Sequence, residues 1–444
     1  MRKAPVIALL LALLLVSCRS ETSVSVDYEA PETWAELFTV FWDKMSSNYI
    51  FWSLDYDEGM GWEDVYDEYL PLFEELGEIE ENGEASKTAF RYFYEITSPL
   101  SDGHYYADMT DGGDLFTSYP SMRRKLLALG YSEDDIFSLF DSWDGEKFSA
   151  LYGEDGSLSA DGDWADYIHS LYECQTYVKE YSLGLDSFGK SSVYSDLSAS
   201  YLYSESGTVY SIVGTFSDDN IAYFGLQSFL FYPYVESSDR DILRYLDTFQ
   251  SVVARADGVV IDLRGNNGGY LYDLSLLWPS FTGGHDVHFA DSRRKDGDNR
   301  LDYGVWLSMR VEDDGRKFSS GVPVAVLVNA QSASAAELSV MFFKALRDDY
   351  GFNVRIIGET TAGANGALLE DLSEEYYNAG TTTIEPWMTT IYTPFTQVRY
   401  KDGTIYEGKG IEPDETIAFD WEEFTSGTDR RLERALEWVR AEMT

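Results

Sequence analysis

Three short stretches of this chain combine residue types that could do nucleophilic chemistry. The first is Ser332-Ala333-Ser334-Ala335-Ala336-Glu337, which follows the apolar run Pro323–Val328. A serine at the start of a helix sits near amide N–H groups and the positive end of the helix dipole, which can stabilise an oxyanion. The same spacing, Ser334-x-x-Glu337, is also a capping box, so Ser334 has a catalytic and a purely structural reading. The second is Arg264-Gly265-Asn266-Asn267-Gly268-Gly269, after the buried-strand run Gly258–Leu263. Adjacent glycines let backbone N–H groups point into a site, or simply make a tight strand-to-helix turn. It lacks the Lys-Ser/Thr of a phosphate-binding loop and the glycine spacing of dinucleotide folds. The third is Ser101-Asp102-Gly103-His104. A base working near neutrality is most easily a histidine, and the chain has four: His104, His169, His285 and His288. His285-x-x-His288 has no further ligand motif around it and reads as loop residues, so no metal or cofactor is expected.

The elements that must position these residues follow from periodicity. Trp34, Leu37, Phe38, Phe41, Trp42 and Met45 fall on one helical face, and Pro31 suits a first-turn position. A second helix starts at Trp62, with Pro71 set to break or kink it, and a third spans about Glu84–Ile96. Residues 108–205 are harder to place. They hold helix-like stretches near 122–129 and 164–177 around a Gly/Asp/Ser-rich loop at 153–163. From Thr208 the pattern becomes strand-like, with TVYSIVG and IAYFGLQSF flanking the turn signal Asp218-Asp219-Asn220. A helix over Ile242–Val253 leads to the strand at 258–263. The strand at 323–328 leads to a helix carrying Leu338, Met341, Phe342, Ala345 and Leu346 on one face, then a strand at 354–357. Strand, helix, strand with short joints is a parallel crossover unit of an α/β fold. A terminal helix is expected over Asp429–Ala441.

Taken in order, DGH at 102–104, IDLRGNNGG at 261–269, VLVNAQSASAAE at 326–337, IGETTAG at 357–363 and YEGKGIEPD at 406–414 resemble the serine peptidase family of C-terminal processing (tail-specific) proteases and tricorn. The interphotoreceptor retinoid-binding protein shares that core. The resemblance implies an α/β ClpP/crotonase-like core of β-β-α turns at residues 206–444. It leaves an N-terminal helical domain at 31–107 and an unassigned, partly helical insert at 108–205. It also implies Ser334 as nucleophile, with oxyanion donors at Gly268 or Gly269 and at the Ala335 N–H. The tail-specific branch places a lysine base after the second glycine of its GE-x-T-x-G-K motif, but here that position is Ala364. The tricorn-like branch uses a histidine from a DGH-like turn, which His104 matches, and a late glutamate, which Glu407 matches. The serine that links the two in tricorn has no match here, which leaves the Glu407 to His104 relay open. The implied activity is hydrolysis of peptides or unfolded protein tails without a cofactor. The alternatives are a non-catalytic peptide- or ligand-binding lipoprotein on the same scaffold and an esterase or acyl-transfer activity.

The N-terminus bears on location. Arg2 and Lys3 precede a short apolar run ending in Leu15-Val16-Ser17-Cys18, which resembles a bacterial lipobox. It implies a signal peptide at 1–17, lipidation of Cys18, a polar tether at 18–30 and a lipid-anchored protein of the cell envelope. The formal charge is −45, and losing Arg2 and Lys3 takes it to −47. Such a balance excludes a nucleic-acid-binding chain, which needs clustered Lys and Arg. With 44% hydrophobic and 16% aromatic residues the chain is not an acidic disordered one.

Overall fold

A computed structural model describes residues 30–141 and 194–443, apart from 57–60, 81–82, 112–113, 129, 204–208, 298, 317, 367–380, 395, 421–422 and 424–425. The signal peptide, Cys18, nearly all of the tether, the 153–163 loop and the 164–177 helix expected above lie outside these residues.

The N-terminal body is built on aromatic packing. Helix α1 (Trp34–Asn48) is started by a capping box in which Thr33 Oγ1 accepts the Glu36 N–H and Glu36 accepts the Thr33 N–H. Two orphan donors are satisfied there, so Pro31 lies outside the helix and not in its first turn. Helix α2 (Trp62–Leu76) runs through Pro71 instead of ending at it. Its buried face carries the helix past the missing N–H: Phe73 stacks on Phe38 of α1 at 4.6 Å between ring centroids. Helices α3 (Ala85–Thr97), α4 (Pro120–Ala128) and α5 (Glu133–Asp141) complete the helical part.

Between α3 and α4 runs a hairpin, β1 (Tyr106–Asp111) and β2 (Asp114–Ser118). β1 crosses the expected 107/108 boundary, and Phe116, Met122, Leu126 and Ile136 share one core with α1 to α3.

Residues 194–443 form a seven-stranded sheet with the order β14-β10-β9-β6-β5-β4-β3. Its strands are β3 (Leu197–Tyr203), β4 (Val209–Phe216), β5 (Ile221–Leu226), β6 (Gly258–Asp262), β9 (Val324–Val328), β10 (Val354–Gly358) and β14 (Glu415–Thr416). β3 to β5 are antiparallel, and every pairing from β5 to β14 is parallel. The parallel crossovers pass through α6 (Arg240–Val253) and α7 (Ala335–Tyr350). Both faces are covered, which explains why β5, β6 and β9 are buried along their whole length. Alternate residues divide the core. Phe224, Val259, Ile261, Val324 and Val326 face α6 and α7; Tyr223, Val260, Ala325 and Leu327 face α8 (Arg430–Glu442).

A smaller sheet, β13-β7-β8, is made by β7 (Val287–Arg294), β8 (Leu307–Val311) and β13 (Thr396–Tyr400). The remaining strands, β11 (Thr381–Ile384) and β12 (Met388–Tyr392), leave the main body and pair with the N-terminal hairpin in the order β11-β12-β1-β2. Tyr106 lies opposite Tyr392, so the segment that follows His104 is stitched to the C-terminal half by a sheet.

Arg264 of the glycine motif does not reach solvent. It is fully buried between Asp262, at 2.6 and 2.9 Å, and Asp429, at 2.9 and 3.0 Å. Tyr223 and Tyr194 donate to the same two carboxylates at 2.9 and 3.0 Å. Asp429 also caps α8 through the Leu432 N–H. Asp429→Ala would leave a buried guanidinium half paired, and denaturant unfolding should show a loss of about 3–5 kcal/mol.

Candidate active site

The loops that follow β6, β9 and β10 meet at the carboxyl ends of the parallel strands, where open α/β sheets place ligands. Ser332 is structural. Its Oγ donates to Leu263 O at 2.7 Å and accepts the Asn329 N–H at 3.0 Å, joining the β6 and β9 loops. Ser334 differs. Its backbone sits at φ 53° and ψ −120°, a region that non-glycine residues rarely occupy, and its side chain makes no capping hydrogen bond. The capping-box reading of Ser334-x-x-Glu337 therefore fails. Glu337 does not turn back to the helix start. Its buried carboxylate accepts the N–H of Gly363 at 2.9 Å and of Ala364 at 2.7 Å, and bonds to Thr361 and Asn365.

Three contacts fix the Ser334 backbone. Its N–H donates to Ala364 O at 2.8 Å, its carbonyl accepts the Leu338 N–H at 3.0 Å, and the preceding Ala333 N–H donates to Asn266 O at 2.9 Å. Gly268 lies flat against it: a Cβ there would come within 2.5 Å of Ser334 Cβ. The Gly268 N–H is directed to Asn266 Oδ1 at 2.8 Å, so as an oxyanion donor it would first have to leave that bond. Gly269 makes a parallel bridge to Phe229, with its neighbours supplying the bonds: Phe229 N to Gly268 O and Tyr270 N to Phe229 O, both 2.8 Å. In a strand-like pairing this turns the Gly269 N–H to the opposite side. Ala335 opens α7, where the first N–H groups have no partner within the helix.

His104 is carried by a turn held from several sides. Its own N–H donates to Asp102 Oδ1 at 2.7 Å, Gly103 N–H to Glu407 Oε1 at 2.8 Å, and Ser101 N–H to Asp55 Oδ1 at 2.9 Å. Arg124 of α4 binds the carbonyls of Leu100, Ser101 and Asp102. The other Glu407 oxygen accepts the N–H groups of Asn365 and Gly366, both at 2.7 Å. Glu407 thus clamps the His104 turn to the β10 loop through backbone amides. A Cβ on Gly103 would lie 2.3 Å from Ala364 Cβ, so the turn rests directly on the residue whose carbonyl receives the Ser334 N–H.

Asp102, His104 and Glu407 converge, with one side-chain N or O atom of each within 4.8 Å of the others. Burial pushes the His104 imidazole down to about 4, so it is neutral at neutral pH. Burial raises Asp102 to about 8 against the pull of its hydrogen bonds, with the Asp55 charge adding to the rise. Glu407 is pushed well above the usual carboxylate range by burial and then by Asp102. Two carboxyl groups in one buried pocket do not both ionise readily, so the pair keeps a proton near neutrality. His285 and His288 take no part: the first packs tilted against Tyr350 at 4.5 Å between ring centroids and the second bonds Asp291 at 2.9 Å.

Sequence reasoning passed over Asp102, although it lies inside the DGH motif, and Glu337, which it read only as a capping partner. Arg124 and Asn365 had no local signal.

The arrangement is that of an α/β hydrolytic fold with a serine at a strained strand-to-helix turn. Residues 220–417 match Peptidase family S41. It is 29% identical over 208 residues to the carboxy-terminal processing protease CtpA of Bacillus subtilis (strain 168), covering 46% of this chain and 36% of that protein. It is 25% identical over 192 residues to the nisin-resistance protein of Lactococcus lactis subsp. lactis, covering 42% of this chain and 51% of that one. The chain thus spans about half or less of the curated relatives it matches. Among solved structures, a candidate peptidase from Parabacteroides merdae ATCC 43184 superposes over 92% of this chain and 97% of its own, with TM-score 0.57 and 17% identity. Mature CPAF, in complex with lactacystin, does so over 93% and 98%, with TM-score 0.53 and 12% identity. These likenesses show the fold, a mixed α/β peptidase core with helices at its N-terminus.

The clamp on the His104 turn is testable without any assay of function. Arg124→Met should speed amide exchange at residues 101, 103 and 104 by ~10-fold or more, while the sheet amides of β5 and β6 keep their protection. Hydrogen exchange resolved to peptides checks this.

Proposed function

We propose that this protein is a serine-type peptidase of the cell envelope that hydrolyses peptides or unfolded protein tails. The observation that carries the proposal is the setting of Ser334. Its backbone is strained, its hydroxyl is released from capping, and Ala364 lies between it and the His104 turn. In this reading Ser334 Oγ attacks the carbonyl carbon and His104 accepts its proton. Burial keeps the imidazole neutral and ready to do so. The Ala335 and Gly269 N–H groups receive the oxyanion, and Gly268 contributes by the close approach that only glycine allows. The Asp102 and Glu407 carboxyl groups, each with an atom within 4.8 Å of a ring nitrogen, then stabilise the imidazolium. Collapse of the tetrahedral intermediate returns the proton to the leaving amine, and water repeats the sequence on the acyl-enzyme.

The envelope location draws on the lipobox-like Leu15–Cys18 and on relatives described as a processing protease and a nisin-resistance protein. No described helix is long and apolar enough to cross a membrane, so attachment would fall to Cys18. The net charge of −45 gives no basis for nucleic-acid partners.

A fluorophosphonate probe should label the wild type and leave Ser334→Ala unlabelled. His104→Ala should slow labelling by ~10²–10⁴-fold, and adding Ala364→Lys should not restore it. Equal labelling of wild type and Ser334→Ala would overturn the nucleophile. Ligand binding with no labelling of either would point to a non-catalytic scaffold.

The pH profile is a separate check. A general base must be unprotonated, and a depressed pKa widens the range in which it is. kcat/KM should therefore stay flat from neutrality down to about pH 5 and fall as His104 protonates near its lowered value of about 4. An acid limb centred at about 6.5, the ordinary histidine value, would show that the imidazole is solvated.

A further inference from the structure

Two buried atoms beside His104 are left without partners. Asp102 is fully buried, and its Oδ2 accepts no hydrogen bond; His104 Nδ1 is equally buried and unpaired. Among the described residues neither Asp102 nor Glu407 makes an ion pair. Arg124, the nearby cation, donates to backbone carbonyls. The other ionisable groups around the pocket add negative or neutral character: Asp55 behind Ser101, Glu337 under the β10 loop, and the phenols of Tyr49 and Tyr105. The pocket therefore concentrates two carboxylates and an imidazole, with Arg124 as the fixed positive charge acting on them through space and not as an ion-pair partner.

We propose that Asp102, His104 and Glu407 form a binding site for a divalent cation of the zinc type, and that filling it turns off Ser334. The binding half stands on the geometry alone, while the inhibitory half rests on the peptidase reading above. One imidazole and two carboxylates are a normal zinc donor set, and harder ions such as Mg²⁺, which take oxygen ligands in octahedral geometry, are poorly matched to it. Ligand atoms around a tetrahedral zinc lie on the order of 3.3 Å apart. The three here are already within 4.8 Å, so closure by no more than about 1.5 Å completes the set. Glu407 can keep its amide contacts while coordinating through Oε1, which accepts one N–H and has a second lone pair. Water fills the remaining position, and the partly exposed side of His104 gives the ion its way in.

Coordination consumes the imidazole lone pair. Zinc on Nε2 blocks the base directly, and zinc on Nδ1 leaves the proton on Nε2; in either case the ring no longer accepts from Ser334.

Titration calorimetry of the full-length Ser334→Ala protein with Zn²⁺ alone tests the site independently of activity. We expect one ion per chain and no response to Mg²⁺. Asp102→Asn and His104→Ala should each weaken binding at least ~10-fold, with their melting curves recorded so that a misfolded variant is replaced by Glu407→Gln. In the wild type, Zn²⁺ should slow fluorophosphonate labelling and a chelator should restore it. Absence of Zn²⁺ binding, or binding untouched by these substitutions, overturns the site. Binding as expected in a wild type that is never labelled, with or without chelator, would keep the site and overturn the peptidase reading.

Discussion

The backbone of Ser334 is the constraint around which the rest is arranged. Holding a serine at positive φ costs about 1–3 kcal/mol, and nothing local repays it. The repayment comes from two loops and the helix that follows. Asn266, from the β6 loop, takes the Ala333 N–H; Ala364, from the β10 loop, takes the Ser334 N–H; α7 takes the Ser334 carbonyl. The β10 loop could not offer Ala364 O unless it were itself fixed. Glu337, one turn into the same helix, fixes it by accepting two of its amides. Helix α7 thus carries the strained serine and, three residues on, the carboxylate that orders the loop holding it. A capping box would have satisfied the helix and lost both functions.

The second dependence is between bodies. His104 lies in the N-terminal half and Ser334 deep in the C-terminal half, and a hydrolytic site needs them in register to a fraction of an ångström. Two devices supply this. Strands β11 and β12 leave the main body to pair with β1, which begins two residues after His104. Glu407 then binds Gly103 on one side and Asn365 and Gly366 on the other. A carboxylate is suited to this because it accepts several N–H bonds at once, and charge-assisted bonds are the stronger kind. Its cost is desolvation, which together with the nearby Asp102 raises its pKa well above the usual carboxylate range. The electrostatic peculiarity of the pocket follows from using buried carboxylates as structural clamps.

Much of this was legible in the sequence, for reasons that differ by residue. The strands at 258–263, 323–328 and 354–357 are short apolar runs ending in polar glycine-rich loops, and the helices at 240–253 and 335–350 show clear periodicity, so local pattern sufficed. The ordered motifs brought Ser334, His104, Glu407 and the two glycines to notice. What escaped depends on contacts across the fold. Arg124 looks like any surface arginine of a short helix until the 100–102 carbonyls are seen beside it. Pro71 breaks helices by its own chemistry, yet the packing of Phe73 on Phe38 carries α2 through. Glu337 has a strong local reading as a cap, which tertiary contacts replace. Arg264 is the converse. It belongs to the motif that carries the glycine loop, but it points back into the sheet toward Asp262 and Asp429 and supports the loop from below.

Ala364 shows why the two ways of activating such a serine exclude one another. In the tail-specific branch of the family that this chain resembles, the corresponding position bears a lysine base. Here it is buried, and Gly103 sits so close that even one added carbon would approach Ala364 Cβ to 2.3 Å. A lysine side chain at 364 would occupy the space of the Asp102-Gly103-His104 turn and expel it. Conversely, seating that turn requires a small residue at 364 and a glycine at 103. An extended ammonium from the β10 loop and the turn that carries His104 compete for one volume beside Ala364. In this chain the choice of histidine as candidate base is written as much in Gly103 and Ala364 as in His104 itself.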